Sequence, residues 1–274
     1  MNLRLSRRHP QADGQQPAAG RGGQAARPAR RPGWVAMAGL LVLLAAGTSA
    51  YVLARQHNPP AGGELRPSGI PAGISTSLAN LMVLSPLPRE AAPGFTLTDQ
   101  AGRTVGLSGF RGKVVVLEFM DDHCTDICPI VSQEFIDAYH DLGTAAGKVV
   151  FAAVNVNPSY RSVSAVAAFS AEHQLTTIPG WHFLTGPLPA LRATWRDYNI
   201  AVQVPNPRAD IVHTSAIYFI DPQGTERYLA SPEDAGQTKP RFAYGTKNET
   251  GYVPAGQMTD WGRGIAQVAR SLAG

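Results

Sequence analysis

Val114-Val115-Val116-Leu117-Glu118-Phe119-Met120 runs directly into Asp121-Asp122-His123-Cys124-Thr125-Asp126-Ile127-Cys128-Pro129. The first half is apolar and β-branched without alternation, the pattern of a strand covered on both faces. The second half closes on a proline, which is favoured in the first turn of a helix. Apolar residues then recur at helical spacing through Leu142. The unit is a buried strand, a short polar loop carrying two cysteines, and a helix. Loops at the carboxyl ends of strands in α/β sheets are where ligands gather.

The pattern repeats downstream. Val149 to Val156 reads as a second buried strand and Val163 to Phe169 as part of a helix. Trp181-His182-Phe183-Leu184 suits a short strand and Leu188 to Tyr198 another helix. Ile211 to Ile220 reads as one strong strand, turned by Asp221-Pro222-Gln223-Gly224 into a partner at Glu226–Leu229. Trp261 to Leu272 has helical spacing, and the Gly- and Pro-rich stretch Ser231–Gln257 reads as a long loop. Upstream, Phe95-Thr96-Leu97 and Thr104-Val105 flank the turn Asp99-Gln100-Ala101-Gly102, a hairpin signature. Strands alternating with helices, then a closing hairpin and helix, predict an α/β thioredoxin-like fold with an N-terminal β-hairpin extension.

The remaining chain predicts a membrane attachment. Residues 1–33 form an Arg-rich tail with seven of the chain's 24 basic residues and one of its 20 acids. That leaves 17 basic and 19 acidic residues for everything else, so the formal charge of +4 belongs to the tail and a nucleic-acid surface is not indicated. Residues 34–54 carry no charge and as a helix would span roughly 31 Å, near the thickness of a bilayer core. The arginines before it predict a cytoplasmic N-terminus and a C-terminal domain on the extracytoplasmic side of the cell membrane. A cleavable signal is the competing reading, but 33 residues are a long leader for one. Residues 55–88 are rich in Pro and Gly and read as a linker, with the domain proper at 89–274.

Cys124 and Cys128 are the chain's two cysteines. A disulfide closing so short a loop stabilises by roughly 2 kcal/mol, against nearly 5 for a loop of about 100 residues, so it is a poor structural staple. Cys128, at a helix start, is expected to have a lowered thiol pKa from the free N–H groups and the dipole. A thiolate serves both thiol exchange and soft-metal binding, so the pair leaves the two open. His213, heading the strand Val212–Ile220, adds an imidazole. Two thiolates and an imidazole favour copper, whereas structural zinc sites want four protein ligands. A hydrogen-bonded histidine at a strand end is the plainer alternative for His213.

With those residues in hand, the sequence resembles the Sco/SenC family of copper-binding thioredoxin-like proteins. The matching residues are Val114–Met120, Cys124-Thr125-Asp126-Ile127-Cys128-Pro129, Leu184-Thr185-Gly186, and His213 with Asp221-Pro222-Gln223-Gly224. The resemblance implies copper, Cu(I) or Cu(II), held by Cys124, Cys128 and His213. It implies delivery to a subunit II-like part of cytochrome c oxidase during assembly. A membrane-anchored thiol–disulfide oxidoreductase, with Cys124 and Cys128 as a redox pair able to close to a disulfide, is the alternative. Peroxidase activity ranks lowest. Thr125 replaces the family's usual proline, and Asn157-Pro158-Ser159-Tyr160-Arg161 replaces its usual acidic run. His123, beside Asp121 and Asp122, reads as a solvated loop histidine before an auxiliary copper ligand.

Overall fold

The computed structural model describes residues 65–125, 127–204, 211–231 and 255–274, with side chains in the last segment from Thr259. In chain order the regular elements are α1 (Thr76–Leu81), β1 (Ser85–Pro86), β2 (Thr96–Thr98), β3 (Thr104–Gly106), β4 (Val114–Met120), α2 (Ile127–Leu142) and β5 (Val149–Asn155). They continue with α3 (Val163–Glu172), β6 (His182–Leu184), α4 (Leu188–Asp197), β7 (Val202–Gln203), β8 (Val212–His213), β9 (Ile217–Ile220), β10 (Glu226–Ala230) and α5 (Ala255–Ala273).

β4 lies inside a six-stranded sheet of order β1-β10-β9-β4-β5-β6. It pairs in parallel with β5 along its length, Val114 opposite Val149 through Met120 opposite Asn155. On its other edge β9 is antiparallel, from Val115 opposite Ile220 to Leu117 opposite Tyr218. Every residue of β4 and β5 is buried. Val114, Val116 and Met120 face one core with Phe135, Phe169, Trp261 and Ile265 of α2, α3 and α5. Val115, Leu117 and Phe119 face a second core with Phe95, Leu97, Leu191, Trp195 and Tyr198. Helices thus cover both sides of a mixed sheet, the thioredoxin-like α/β architecture, with the β2–β3 hairpin laid on the α4 side. The unbroken apolar run of β4 follows from this double coverage.

Three expectations change. The linker expected over residues 55–88 contains packed structure: Ser75 caps α1 by accepting from the Leu78 N–H at 3.3 Å, and Ile74, Met82 and Leu84 are core residues. The domain therefore begins before residue 89. Its missed signal is long-range, because these residues bury against α5, far away in the chain. Second, the single strand expected over Ile211–Ile220 is two. β8 pairs with β7, Val202 opposite His213, in a separate two-stranded ladder, and only β9 joins the main sheet. Thr214 makes the break, its N–H donating to the Ala201 carbonyl at 3.0 Å and its hydroxyl accepting from the Ala201 N–H at 3.1 Å. Third, the last helix starts at Ala255, inside the expected loop. Gly262 weakens its helical signal, yet a Cβ there would fall 2.6 Å from Asp137 Cβ, so the close approach of α5 to α2 needs glycine.

The expected membrane segment 34–54 lies outside the described residues. Among the described residues no helix is long and apolar enough to cross a membrane.

Candidate metal centre

β4 ends at Met120, and the chain turns through Asp121–Thr125 before α2 begins at Ile127. The turn is held from within, the Cys124 N–H donating to the Asp121 carbonyl at 3.2 Å. Pro129 stands in the first turn of α2, where it forfeits no hydrogen bond. The Cys128 N–H, one of the helix's otherwise unpaired donors, reaches the Cys124 sulfur at 3.3 Å. The two cysteines are therefore neighbours. Neither is in a disulfide; Cys124 is half-buried and Cys128 buried.

The lowered pKa expected for Cys128 is not found. The Cys124 sulfur beside it and burial push the Cys128 thiol well above its ordinary value. Position in a helix's first turn is outweighed by the neighbouring Cys124 sulfur and by burial.

His213 lies on β8 and is half-buried. Because β9 runs antiparallel to β4, the chain enters β9 at the sheet end where β4 leaves it. His213, four residues before β9, thus approaches the same end of the sheet as the cysteine loop. Its Nδ1 lies 3.0 Å from the Thr214 carbonyl, which can only accept, so Nδ1 donates. Among the described residues, however, Cys124, Cys128 and His213 are not gathered into one donor cluster. The group whose donor atoms all lie within 4.8 Å of one another is Asp121, Asp122 and His123.

That group is more organised than a solvated loop. Asp121 and Asp122 are buried. Asp121 Oδ1 accepts from the His123 N–H at 2.9 Å and from Asn157 Nδ2 at 2.8 Å. Asp122 Oδ1 lies 3.2 Å from His123 Nδ1, and Asp122 Oδ2 is buried without a hydrogen-bond partner. Burial pushes the Asp122 carboxyl up to about 6, against the pull of His123 and with help from the charge of Asp121. The imidazole of His123 stacks on Tyr160, ring centroids 3.7 Å apart. Tyr160 belongs to the segment that replaces the expected acidic run. Asn157 Oδ1 accepts from the Ser159 and Tyr160 N–H groups, and Asn155 Nδ2 donates to the Tyr160 carbonyl. This segment braces the cysteine loop, a role that a few polar residues after a strand do not advertise. A cleft of about 500 Å³ opens beside it, lined among others by Asp122, His123, Cys124 and Tyr160.

A family model described as SCO1/SenC matches residues 86–240. The SCO1 protein homolog of Bacillus subtilis is 26% identical over 144 residues, covering 52% of this chain and 74% of the relative. The mitochondrial SCO2 homolog of Bos taurus is 29% identical over 145 residues, covering 50% of this chain and 53% of the relative, so the chain spans about half of that protein. Among solved structures, Bradyrhizobium japonicum ScoI with copper bound aligns with a TM-score of 0.49 at 21% identity, covering 67% of this chain and 99% of that one.

Proposed function

This chain belongs to the SCO1/SenC family, and on that premise we propose that it carries copper through Cys124, Cys128 and His213 and delivers it to the copper centre of cytochrome c oxidase during assembly. The observation that carries the reading is the pair of adjacent cysteines, not joined in a disulfide, at the end of a central strand. Soft sulfur donors select copper over the hard cations. The donors present suit such an ion: two neighbouring cysteines, and an imidazole on the segment that leads into the same end of the sheet. In the proposed cycle the ion is cargo. Cys124, the more exposed sulfur, meets it first, Cys128 completes the pair, and His213 is the third donor. A three-donor site lets an incoming ligand of the recipient attack without dismantling a closed shell.

The test is anaerobic Cu(I) titration of the reduced full-length chain against a chromophoric chelator. One equivalent is expected. His213→Ala should weaken binding at least tenfold, about 1.4 kcal/mol, and Cys124→Ser or Cys128→Ser should remove chelator-competitive binding. Undiminished affinity in the histidine variant sinks the three-donor reading.

The burial difference between the cysteines favours a second role on the same atoms. The half-buried Cys124 would attack a target disulfide, releasing one target thiol, and the buried Cys128 would then attack Cys124, releasing the other. The product is a Cys124–Cys128 disulfide that an external thiol reductant must reopen. On this scheme Cys128→Ser accumulates a mixed disulfide with a model substrate; its absence under non-reducing electrophoresis excludes the scheme. The proposed setting is the extracytoplasmic side of the cell membrane, anchored by residues 34–54. Membrane fractionation with protease accessibility tests it.

A further inference from the structure

Asp122 presents an oddity the copper reading does not use. Its side chain is fully buried, yet Oδ2 has no hydrogen-bond partner while Oδ1 faces His123 Nδ1 at 3.2 Å. Buried polar atoms are nearly always satisfied, so an orphaned oxygen in a cleft calls for an explanation. We propose that Asp121, Asp122 and His123 form a second cation site, distinct from the cysteine pair, for a borderline divalent ion of the Zn(II) or Cu(II) kind.

Three observations carry this beyond a cluster of acids. The three side chains offer donor atoms within 4.8 Å of one another, with no rearrangement of the loop. The first and third of them are already oriented: Asn157 donates to Asp121 Oδ1, and Tyr160 stacks on the imidazole. Such outer contacts are what fix metal ligands in place. Finally, Asp122 and His123 line the cleft of about 500 Å³, leaving room for water in the remaining coordination positions. Two carboxylates and one imidazole, without sulfur, suit a borderline divalent ion and not Cu(I). The site stands whether or not the cysteines carry copper.

The test uses the full-length chain with Cys124→Ser and Cys128→Ser, stripped of metal and titrated with Zn(II) alone by calorimetry. One zinc ion is expected to bind saturably. Asp122→Asn or His123→Ala in this background should weaken it at least tenfold. Thermal unfolding separates binding from misfolding. Without metal the Asp122→Asn chain should unfold no lower than its parent, because the amide keeps the side chain's shape without burying a charge; with zinc the parent should rise above it. No zinc bound by the parent, equal zinc affinity in Asp122→Asn, or a metal-free Asp122→Asn chain that unfolds below the parent each overturns the proposal.

Discussion

Asp99 and Asp122 are both aspartates with fully buried side chains, both with a histidine ring nitrogen close by, and they are opposites. Asp99 sits in the turn between β2 and β3 with every oxygen engaged. Oδ1 accepts from the Ala101 and Arg103 N–H groups at 3.0 and 2.9 Å. Oδ2 accepts from Arg103 Nε at 2.9 Å and faces His182 Nδ1 at 3.3 Å. Burial alone would raise its carboxyl, but the Arg103 guanidinium and the two backbone donors hold it below the usual value. Asp122 has the same burial and an unpartnered oxygen, and its carboxyl moves the other way. A satisfied buried acid fastens the fold, whereas an unsatisfied one lacks the bonds that offset its burial.

The largest expected effect comes from breaking the satisfied member. Asp99→Asn keeps the shape but turns an amide donor toward Arg103 and His182. It should cost about 2–3 kcal/mol, less than the roughly 3–5 of a fully buried pair because Arg103 is itself exposed. For a domain of this size that is a fall of about 5–10 °C in thermal midpoint. The sign with pH is fixed by the lowered carboxyl. Its stabilisation is present above the ordinary aspartate range and is lost as pH falls through the folded-state value, so wild type and variant should converge on acidification. A midpoint within about 2 °C of wild type at neutral pH would show the turn to be mere surface.

Asp122 should behave in reverse when no metal is present. Its folded-state value near 6 exceeds the ordinary 3.8, so folding opposes its ionisation. Stability is full below the unfolded value and is lost as pH rises through about 6. Asp122→Asn escapes that loss and should gain on the order of 1–2 kcal/mol at pH 8 in the presence of a chelator, with nothing gained at pH 4. Glu134 of α2 is the control. It is buried, with Oε2 unpartnered and its carboxyl pushed well up by burial and by Asp137, but it stands in no cluster of donor atoms among the described residues. Glu134→Gln should show the same pH sign and no response to zinc. If both variants respond alike to zinc, the distinction between a site and an unused buried acid collapses.

What could be read from the chain follows the range of the interactions. β4, the cysteine loop and α2 were legible because an apolar run without alternation, paired thiols and a helix-starting proline are local signals. The split between β8 and β9 was not. Val212–His213 and Ile217–Ile220 are both β-favouring, the Thr214-Ser215-Ala216 between them holds no Gly or Pro to signal a break, and the Thr214–Ala201 contacts, thirteen residues apart, help divide them. Ile74 and Met82 were hidden in the same way, their burial depending on α5. At the site, the cysteine pair was visible and the burial of Asp121 and Asp122 was not. Two aspartates after a strand look like a wet loop until Asn157 and Tyr160, from the end of the next strand, close over them.

Tyr160 gives the smallest expected effect and the sharpest question about that closure. Its backbone N–H and carbonyl are held by Asn157 and Asn155, and these bonds do not involve the ring. The residue is 54% exposed, and its ring meets His123 at an interplanar angle of 22°. Tyr160→Leu should therefore keep the segment's path and cost only about 0.5 kcal/mol for the lost stacking, a shift near the limit of thermal measurement. Its effect on the imidazole should be easier to see. Freed of the stack, His123 samples more orientations, and zinc affinity in the cysteine-free background should fall by about twofold, the same energy expressed as binding. Tyr160→Phe retains the ring and should match the parent. If leucine and phenylalanine give equal affinities, the stacked pair does not position His123, and the contrast with Asp99 rests on Asp122 alone.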